Sequence, residues 1–236
     1  MSEFYNSIVE YYEEIFVPGK AQIDFLEESM NGDMALDIAC GTGKVASLLN
    51  ARGKNVMGID LEPSMVEIAR KRNNIDAREM NMLDIDKLDK NFNLVYCIGN
   101  SLPHLKDLKE IENFIDSVIR VLNNGKLVIQ WINFFPFLIS NDDYLGSLPT
   151  IETENLKFIR KYYRFNDKIR FNTDLIIGDK TLTNDELLYP LMLDDMLNIL
   201  QSKGFSNIEI YGGFNKSNFD INTSLPIVLR ASYGNN

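Results

Sequence analysis

Short apolar runs alternate with amphipathic segments along the first 132 residues of the chain. In the amphipathic segments apolar residues recur every three or four positions, which predicts helices. These helices are predicted at residues 2–16, 21–30, 44–51, 63–71 and 107–122. The apolar runs predict strands at residues 34–39, 55–59, 76–82, 92–98 and 126–132. Because the runs are continuous, both faces of the sheet are expected to be covered, as in a parallel sheet with crossover helices.

The pattern changes after Asn133, where aromatic residues and prolines predict a loop with a short helix over residues 134–150. Three further strands are predicted at residues 156–165, 169–177 and 181–189, the first two joined by a hairpin turn at Asn166-Asp167. A helix at 191–203 and strands at 208–211 and 226–232 complete the chain. We therefore expect an α/β protein with a doubly wound core, residues 1–133 and 191–236, and a small antiparallel β element inserted at 134–190.

Composition narrows the range of partners. The 236 residues include 24 basic and 34 acidic side chains, a net charge of −10, which disfavours a nucleic-acid partner. The longest apolar stretch, residues 127–139, contains Gln130 and Asn133 and is broken by Pro136, so no membrane partner is expected. The N-terminus lacks the pattern of a signal peptide, and the two cysteines predict free thiols, which favours the cytoplasm. A monomer or a homodimer fits this composition.

A glycine-rich turn follows the first predicted strand. Gly41 and Gly43 remove side chains where a ligand would touch the backbone, and the next helix begins with free N–H donors. Asp60, at the end of the second strand, lies 17 residues after Gly43, close to the spacing at which a carboxylate binds ribose hydroxyls. An adenosine-type cofactor is therefore predicted at the carboxyl ends of these strands, and the G-x-G-x-x-A pattern alone would fit NAD equally well.

Asp37 separates the two kinds of cofactor. It lies inside the first strand, just before the glycine turn. A carboxylate there would repel a pyrophosphate and would suit a ligand with a cationic group. Together with Asp60 it indicates a molecule with an ammonium or sulfonium at one end and a ribose at the other. S-adenosylmethionine has both and carries no phosphate.

Two segments resemble the class I S-adenosylmethionine-dependent methyltransferases, namely residues 36–43, with the sequence LDIACGTG, and residues 58–65, with the sequence GIDLEPSM. The resemblance implies a mostly parallel, seven-stranded Rossmann-like sheet. It also implies that Ala39 and Gly41 line the methionine end, Asp60 holds the ribose and Leu61 packs on the adenine. Asn81 stands where the family often has Asp, and its amide oxygen is expected to accept from the adenine amino group. The residues expected at the cofactor are Tyr12, Asp37, Ala39, Cys40, Gly41, Gly43, Asp60, Leu61, Met65, Asn81, Met82, Cys97, Ile98 and Gly99.

The substrate side is less defined by the sequence. His104, the single histidine, follows the fourth strand and is a candidate for a substrate contact or a base, although a lone histidine more often has a packing role. Asn100 and Ser101 are equally consistent with turn residues and with ligand contacts. Aromatic residues after the fifth strand are expected to open onto the crevice or to pack in the core: Trp131, Phe134, Phe135 and Phe137. No metal site is expected, because one histidine and two separated cysteines give no ligand spacing.

The sequence therefore predicts a methyltransferase that acts on a small molecule, with the inserted β element as the wall that selects the substrate. Methyl transfer needs mainly positioning and a water-poor site, and a general base is needed only if the nucleophile arrives protonated. The acceptor atom, N, O, S or C, is left open. Two alternatives remain: an NAD-dependent oxidoreductase, which Asp37 and the lack of a Tyr-x-x-x-Lys motif disfavour, and a non-catalytic cofactor-binding protein.

Overall fold

The computed structural model describes residues 3–139 and 141–234, which form two sheets with helices packed around the larger one. The helices are α1 (Glu3–Ile15), α2 (Lys20–Ser29), α3 (Lys44–Asn50), α4 (Pro63–Lys71), α5 (Leu108–Val121), α6 (Phe135–Leu138) and α7 (Leu193–Ser202). The strands are β1 (Met34–Ile38), β2 (Asn55–Asp60), β3 (Asp76–Glu79), β4 (Phe92–Cys97), β5 (Leu122–Ile132), β6 (Tyr144–Ser147), β7 (Ile151–Glu152), β8 (Lys157–Phe165), β9 (Lys168–Ile177), β10 (Lys180–Leu188), β11 (Ser206–Tyr211) and β12 (Pro226–Tyr233).

The larger sheet has seven strands in the order β11-β12-β5-β4-β1-β2-β3. Strands β1 to β5 are parallel, and β12 pairs antiparallel with both β5 and β11. This arrangement confirms the predicted α/β class with a mostly parallel, seven-stranded sheet. The chain proceeds from β1 to β2 on one side and returns to β4 on the other. A crevice therefore opens at the carboxyl ends of β1 and β4, where ligands bind in such sheets.

Apolar cores cover both faces of this sheet. Helices α5 and α7 pack on one face through residues such as Phe114 and Leu200, and α2, α3 and α4 pack on the other through residues such as Phe25 and Leu49. Helix α5 begins at the predicted place because the Asp107 side chain accepts a 3.0 Å hydrogen bond from the backbone N–H of Glu110. Burial on both faces explains why the strands are continuous apolar runs.

The insert forms a second, antiparallel sheet in the order β10-β9-β8-β6, with β7 also paired to β8. The predicted two-residue hairpin between β8 and β9 is present, with Asn166 at a φ of 55°. One face of this sheet packs on α1, where Ile8 and Ile15 contact Leu156 and Phe158. Strand β6 was predicted as loop, because its four residues contain a glycine and lack alternation. The division of the chain near residues 133 and 191 stays a prediction.

Two boundaries differ from the sequence-based expectation. The strand predicted to reach residue 82 ends at Glu79, because Asn81 caps a 3₁₀ helix over Met82–Lys87. Strand β5 begins at Leu122 and includes residues predicted as a turn. Gly125 permits this close pairing with β4, since a Cβ there would lie 2.3 Å from the carbonyl oxygen of Asn93. None of the described helices is long and apolar enough to cross a membrane.

Candidate functional site

The turn between β1 and α3 has an unusual backbone. Ala39, Gly41 and Gly43 all have positive φ angles, of 57°, 54° and 73°. The left-handed conformation costs a non-glycine residue about 1–2 kcal/mol, and such strain concentrates at functional sites. The turn is fixed to the neighbouring strand, because the backbone N–H of Cys40 donates to the carbonyl of Ile59 at 2.9 Å. The strand ends thus present a rigid, largely bare backbone to the crevice.

Asp60 ties this turn to the end of β2. Its Oδ2 accepts a 2.8 Å hydrogen bond from the N–H of Gly41, and its Oδ1 accepts a 2.9 Å bond from the N–H of Glu62. Burial nevertheless raises the pKa of the carboxyl, and the two N–H donors oppose that shift only in part. Each oxygen keeps a further lone pair for a ligand hydroxyl. Asp60 can therefore organise the turn and bind a ribose at the same time.

Asp37 is a buried carboxylate at the base of the crevice. Only 2% of its surface is exposed, and burial raises its pKa well above the usual value, with the charge of Asp60 adding to the effect. Tyr96 on β4 lies beside it and opposes this rise in pKa only in part, without a hydrogen bond of good geometry. No ion pair joins Asp37 to any Lys or Arg of the described residues. The site therefore lacks a positive charge near Asp37. S-adenosylmethionine fits the residues present, because it carries a cationic group.

Helix α1 closes the crevice over the glycine turn. A Cβ placed on Gly41 would lie 2.9 Å from the hydroxyl oxygen of Tyr12 and 3.0 Å from its ring carbons. Burial raises the pKa of the Tyr12 hydroxyl, and the charges of Asp60 and Asp37 raise it further. Tyr12 thus contacts the turn directly and remains a neutral hydrogen-bond donor at ordinary pH.

The opposite end of the crevice is apolar. Leu61 follows Asp60 and is 68% exposed, so its side chain offers apolar surface without a protein partner over most of its area. Asn81 and Met82 line the same cavity. The Asn81 side-chain oxygen accepts a 2.9 Å hydrogen bond from the N–H of Leu83 and so caps the 3₁₀ helix. That oxygen has one lone pair left for an adenine amino group. Asp84, a possible substitute, pairs with Lys87 and does not line the cavity.

The end of β4 is held by β5. The N–H of Gly99, which has a φ of 81°, donates to the Gln130 side-chain oxygen at 2.8 Å. The side-chain oxygen of Asn100 accepts a 2.9 Å bond from the N–H of Ile132. Asn100 therefore has a turn-fixing role, one of the two roles that its sequence context allowed. Ser101 also bonds locally, to the carbonyl of Ile98 at 3.2 Å.

His104 borders the same cavity, on a short 3₁₀ turn (Leu102–His104) after β4. His104 is exposed, and the protein atoms around its ring lower its pKa below the usual 6.5 because they desolvate the charged form. The nearby charge of Glu186 opposes the shift but does not cancel it. The imidazole is therefore neutral at pH 7 and can accept a proton or a hydrogen bond.

The crevice and the space beside the insert form one cavity of about 910 Å³. Ligand pockets usually measure roughly 300–1,000 Å³, so this one has room for a cofactor and a second small molecule. The insert supplies one wall through three neighbouring strands. Its inward side chains include Phe158, Arg160, Tyr162, Phe171, Thr173, Asn184 and Glu186.

Comparison with known proteins identifies the fold around this cavity. Residues 35–125, which include β1 to β4 and the glycine turn, match the model of a methyltransferase domain. This segment is therefore similar to a methyltransferase domain, and the whole chain has the fold of solved S-adenosylmethionine-dependent methyltransferases. S-adenosylmethionine is the cofactor of this class of domain, as the resemblance of the two sequence segments implies.

Solved methyltransferases share the whole fold. An S-adenosylmethionine-dependent methyltransferase from Clostridium acetobutylicum ATCC 824 has a TM-score of 0.80 at 16% identity, over 99% of this chain and 100% of the other. An amino pentose methyltransferase from Micromonospora echinaspora, solved with S-adenosylmethionine bound, has a TM-score of 0.74 at 18% identity, over 99% and 98%. Mouse glycine N-methyltransferase is 37% identical over 87 residues, 31% of this chain and 30% of that protein. The alignments with the first curated relatives span 30–38% of those proteins.

Most residues predicted at the cofactor lie on the cavity wall of the methyltransferase domain: Tyr12, Asp37, Ala39, Cys40, Gly41, Asp60, Leu61, Met65, Asn81, Met82, Ile98 and Gly99. Two do not. Gly43 faces α4, where a Cβ would lie 2.9 Å from that of Ala69, so its conformation serves helix packing. Cys97 is fully buried in the sheet core, because its side chain points to the α5 face. The structure therefore places neither residue on the cavity wall.

Of the two expected places for the aromatic residues after β5, Trp131 and Phe134 occupy the core. Trp131 is fully buried, and its indole N–H donates to the carbonyl of Leu191 at 3.0 Å. Phe134 is 1% exposed and packs edge-on against Tyr162, as Phe137 does, and neither lines the cavity. The aromatic rings that reach the methyltransferase cavity from this side belong to the insert. They are those of Phe158 and Tyr162, which are almost or fully buried in the cavity wall, and of Phe171, which is half-buried.

The sequence analysis did not predict Gln130 or the cavity-lining side chains of the insert as site residues. Gln130 interrupts an apolar strand, and a polar residue in such a run is the signal that could have marked it. The insert strands alternate polar and apolar residues on both faces, so their sequence does not say which face borders a ligand.

Proposed function

We propose that the protein transfers a methyl group from S-adenosylmethionine to a small-molecule acceptor. One observation carries the proposal: two carboxylates, Asp37 and Asp60, flank a bare glycine turn at the switch point of the sheet. The buried Asp37 lacks a cationic partner among the described residues. The methyltransferase match over residues 35–125 supports the same activity, and neither alternative gains support from it.

When bound, S-adenosylmethionine supplies a methyl group on a sulfonium, which passes to the acceptor while the sulfur keeps the bonding electron pair. The protein's part is to hold the reactants and exclude water. Asp37 favours a positive charge nearby, and Asp60 and Leu61 are placed to hold a ribose and an adenine. Tyr12 and helix α1 cover the turn, so that the methionine end lies away from bulk water.

His104 is the candidate for proton removal from the acceptor. Its lowered pKa keeps the imidazole neutral at pH 7, which is the form that accepts a proton. A base is needed only where the nucleophile carries a proton that it must lose. His104 would therefore accept a proton from a protonated amine or a hydroxyl. It would not be needed for a thiolate or a neutral amine.

A small-molecule acceptor is supported by the shape of the site. The insert and α1 pack against each other and both line the cavity, whose volume of about 910 Å³ suits a small molecule beside the cofactor. The structurally similar amino pentose methyltransferase acts on a sugar. The negative net charge and the two free cysteines, both buried, support a location in the cytoplasm.

Calorimetric titration tests the cofactor half of the proposal. S-adenosylmethionine should bind with one site per chain, and NAD should not bind. Tight NAD binding, or no binding of S-adenosylmethionine to folded protein, would refute it. The transfer half is tested by incubating the protein with methyl-labelled cofactor and a library of amines, hydroxy compounds and thiols. Label should appear in a product, and at sub-saturating cofactor it should appear more slowly with Asp60→Ala, which serves as the matched control.

A further inference from the structure

Arg160 is a cation in the wall of the cavity. It lies on β8, half-buried, on the same face of the strand as Phe158 and Tyr162. Its Nη2 donates a 2.7 Å hydrogen bond to the carbonyl of Pro149, and its guanidinium carbon lies 5.7 Å from the centre of the Phe158 ring. These contacts hold the guanidinium in place and leave most of its donors unused, since a guanidinium has five N–H groups.

No carboxylate of the described residues forms an ion pair with Arg160. The other cation on the cavity wall, Lys44, pairs with Glu13 at 3.4 Å. On the outer face of β8, Lys161 pairs with Asp174 at 3.0 Å. Burial lowers the pKa of Arg160, so the protein disfavours its charge without providing a counterion. An arginine held this way in a ligand cavity fits an anion that arrives with the ligand.

The surroundings of Arg160 describe the rest of such a ligand. Across the sheet, Arg160 is in register with Thr173 and Asn184, which also line the cavity. The next row holds Tyr162, Phe171 and Glu186, and the rings of Tyr162 and Phe171 stack 5.1 Å apart at 23°. Tyr162 is fully buried, so the polar row with the guanidinium adjoins the half-buried ring of Phe171.

We propose that Arg160 binds an oxyanion of the methyl acceptor, a carboxylate or a phosphate, while the body of the acceptor lies against Phe171. A guanidinium binds either group through two parallel hydrogen bonds. The cofactor end of the cavity is acidic, because Asp37 and Asp60 lie there. It repels the same anion, and the acceptor therefore enters with its charged end on the insert. The inference rests on the proposed function, because it takes the ligand at Arg160 to be the methyl acceptor. Binding of an anion at Arg160 can be tested separately.

The test compares three probes that share a phenyl ring: benzoate, phenyl phosphate and the uncharged benzyl alcohol. Their binding to the full chain is measured by ligand-observed NMR, with and without S-adenosylhomocysteine. At least one anion should bind tenfold or more tightly than benzyl alcohol, and the better anion identifies a carboxylate or a phosphate. Arg160→Ala should weaken that anion by about 10- to 100-fold, the usual effect of losing a charged hydrogen bond. Lys161→Ala, which removes a cation from the opposite face of the same strand, should leave it unchanged.

Arg160→Gln, which keeps a donor for the Pro149 carbonyl, is measured beside Arg160→Ala with its unfolding temperature. Equal binding of the three probes, no binding of any, or an anion preference that survives both substitutions in folded protein would overturn the inference. Calorimetry with S-adenosylmethionine on the same samples reads the proposed function separately. If the cofactor does not bind but the anion preference is intact, the proposed function alone is refuted. If the cofactor binds but the anion preference is absent, the anion site alone is refuted.

Discussion

Replacing Asp37 with asparagine should stabilise the ligand-free protein at neutral pH while it weakens cofactor binding. Burial raises the pKa of this carboxyl well above 3.8 in the folded protein, whereas the unfolded chain leaves it near that value. Between these two values the folded state holds a proton that the unfolded state has lost. Stability is therefore fully present below about pH 4 and falls as the pH rises towards the folded-state pKa.

The size of the effect follows from the same linkage. Each pH unit between the unfolded and folded pKa values removes up to about 1.4 kcal/mol of unfolding free energy, and the loss is constant above the folded value. The asparagine variant would carry no such penalty, because its amide does not titrate. The difference between the unfolding free energies of Asp37→Asn and of the wild type should therefore rise from acidic to neutral pH. The side chain of Asp37 is almost fully buried, so solvent screening reduces this free-energy difference only slightly.

Urea denaturation at a series of pH values between 4 and 8 measures this difference. Asp33→Asn is the control, since Asp33 lies just before the same strand with its side chain 75% exposed. In parallel, the affinity for S-adenosylmethionine should fall by about 10- to 100-fold in Asp37→Asn, the effect expected for a lost charged contact. A flat curve for Asp37→Asn, or unchanged affinity, would refute the argument that Asp37 awaits a cation.

Three further predictions concern single residues. Asp60→Ala should raise the dissociation constant for S-adenosylmethionine at least tenfold, because it removes a charged acceptor and the clamp on Gly41; an unchanged constant in folded protein would contradict the ribose role. The single histidine gives one assignable imidazole signal, and its NMR titration should show a pKa below 6.5 for His104, because burial disfavours the imidazolium; a midpoint above 6.5 would remove it as a neutral base. Gly43→Ala should lower the unfolding free energy by about 1–2 kcal/mol, since its φ of 73° and the nearby Ala69 disfavour a side chain, with cofactor affinity per folded molecule unchanged.

The local pattern was enough to predict the cofactor end of the site. The glycine turn and Asp60 lie within about 25 residues, on one strand-turn-helix-strand unit whose geometry is set by backbone conformation and parallel pairing. The pattern also selected Gly43 and Cys97, which do not line the cavity. A motif marks residues that the turn requires, and it does not distinguish those that face a ligand from those that face a helix.

The sequence by itself determined the alternating strands and helices, the glycine turn and the carboxylates beside it, because each depends on neighbours along the chain. Only the tertiary structure decided the substrate side. Whether Trp131 faced the core or the crevice depended on the packing of the segment that leads into α7, which contains its partner Leu191, 60 residues further on. Arg160, Thr173 and Asn184 became neighbours through strand register, and alternation along a strand gives two faces without naming the one that borders the cavity. The packing of the insert over α1 and the ends of the parallel strands determines which face borders the cavity.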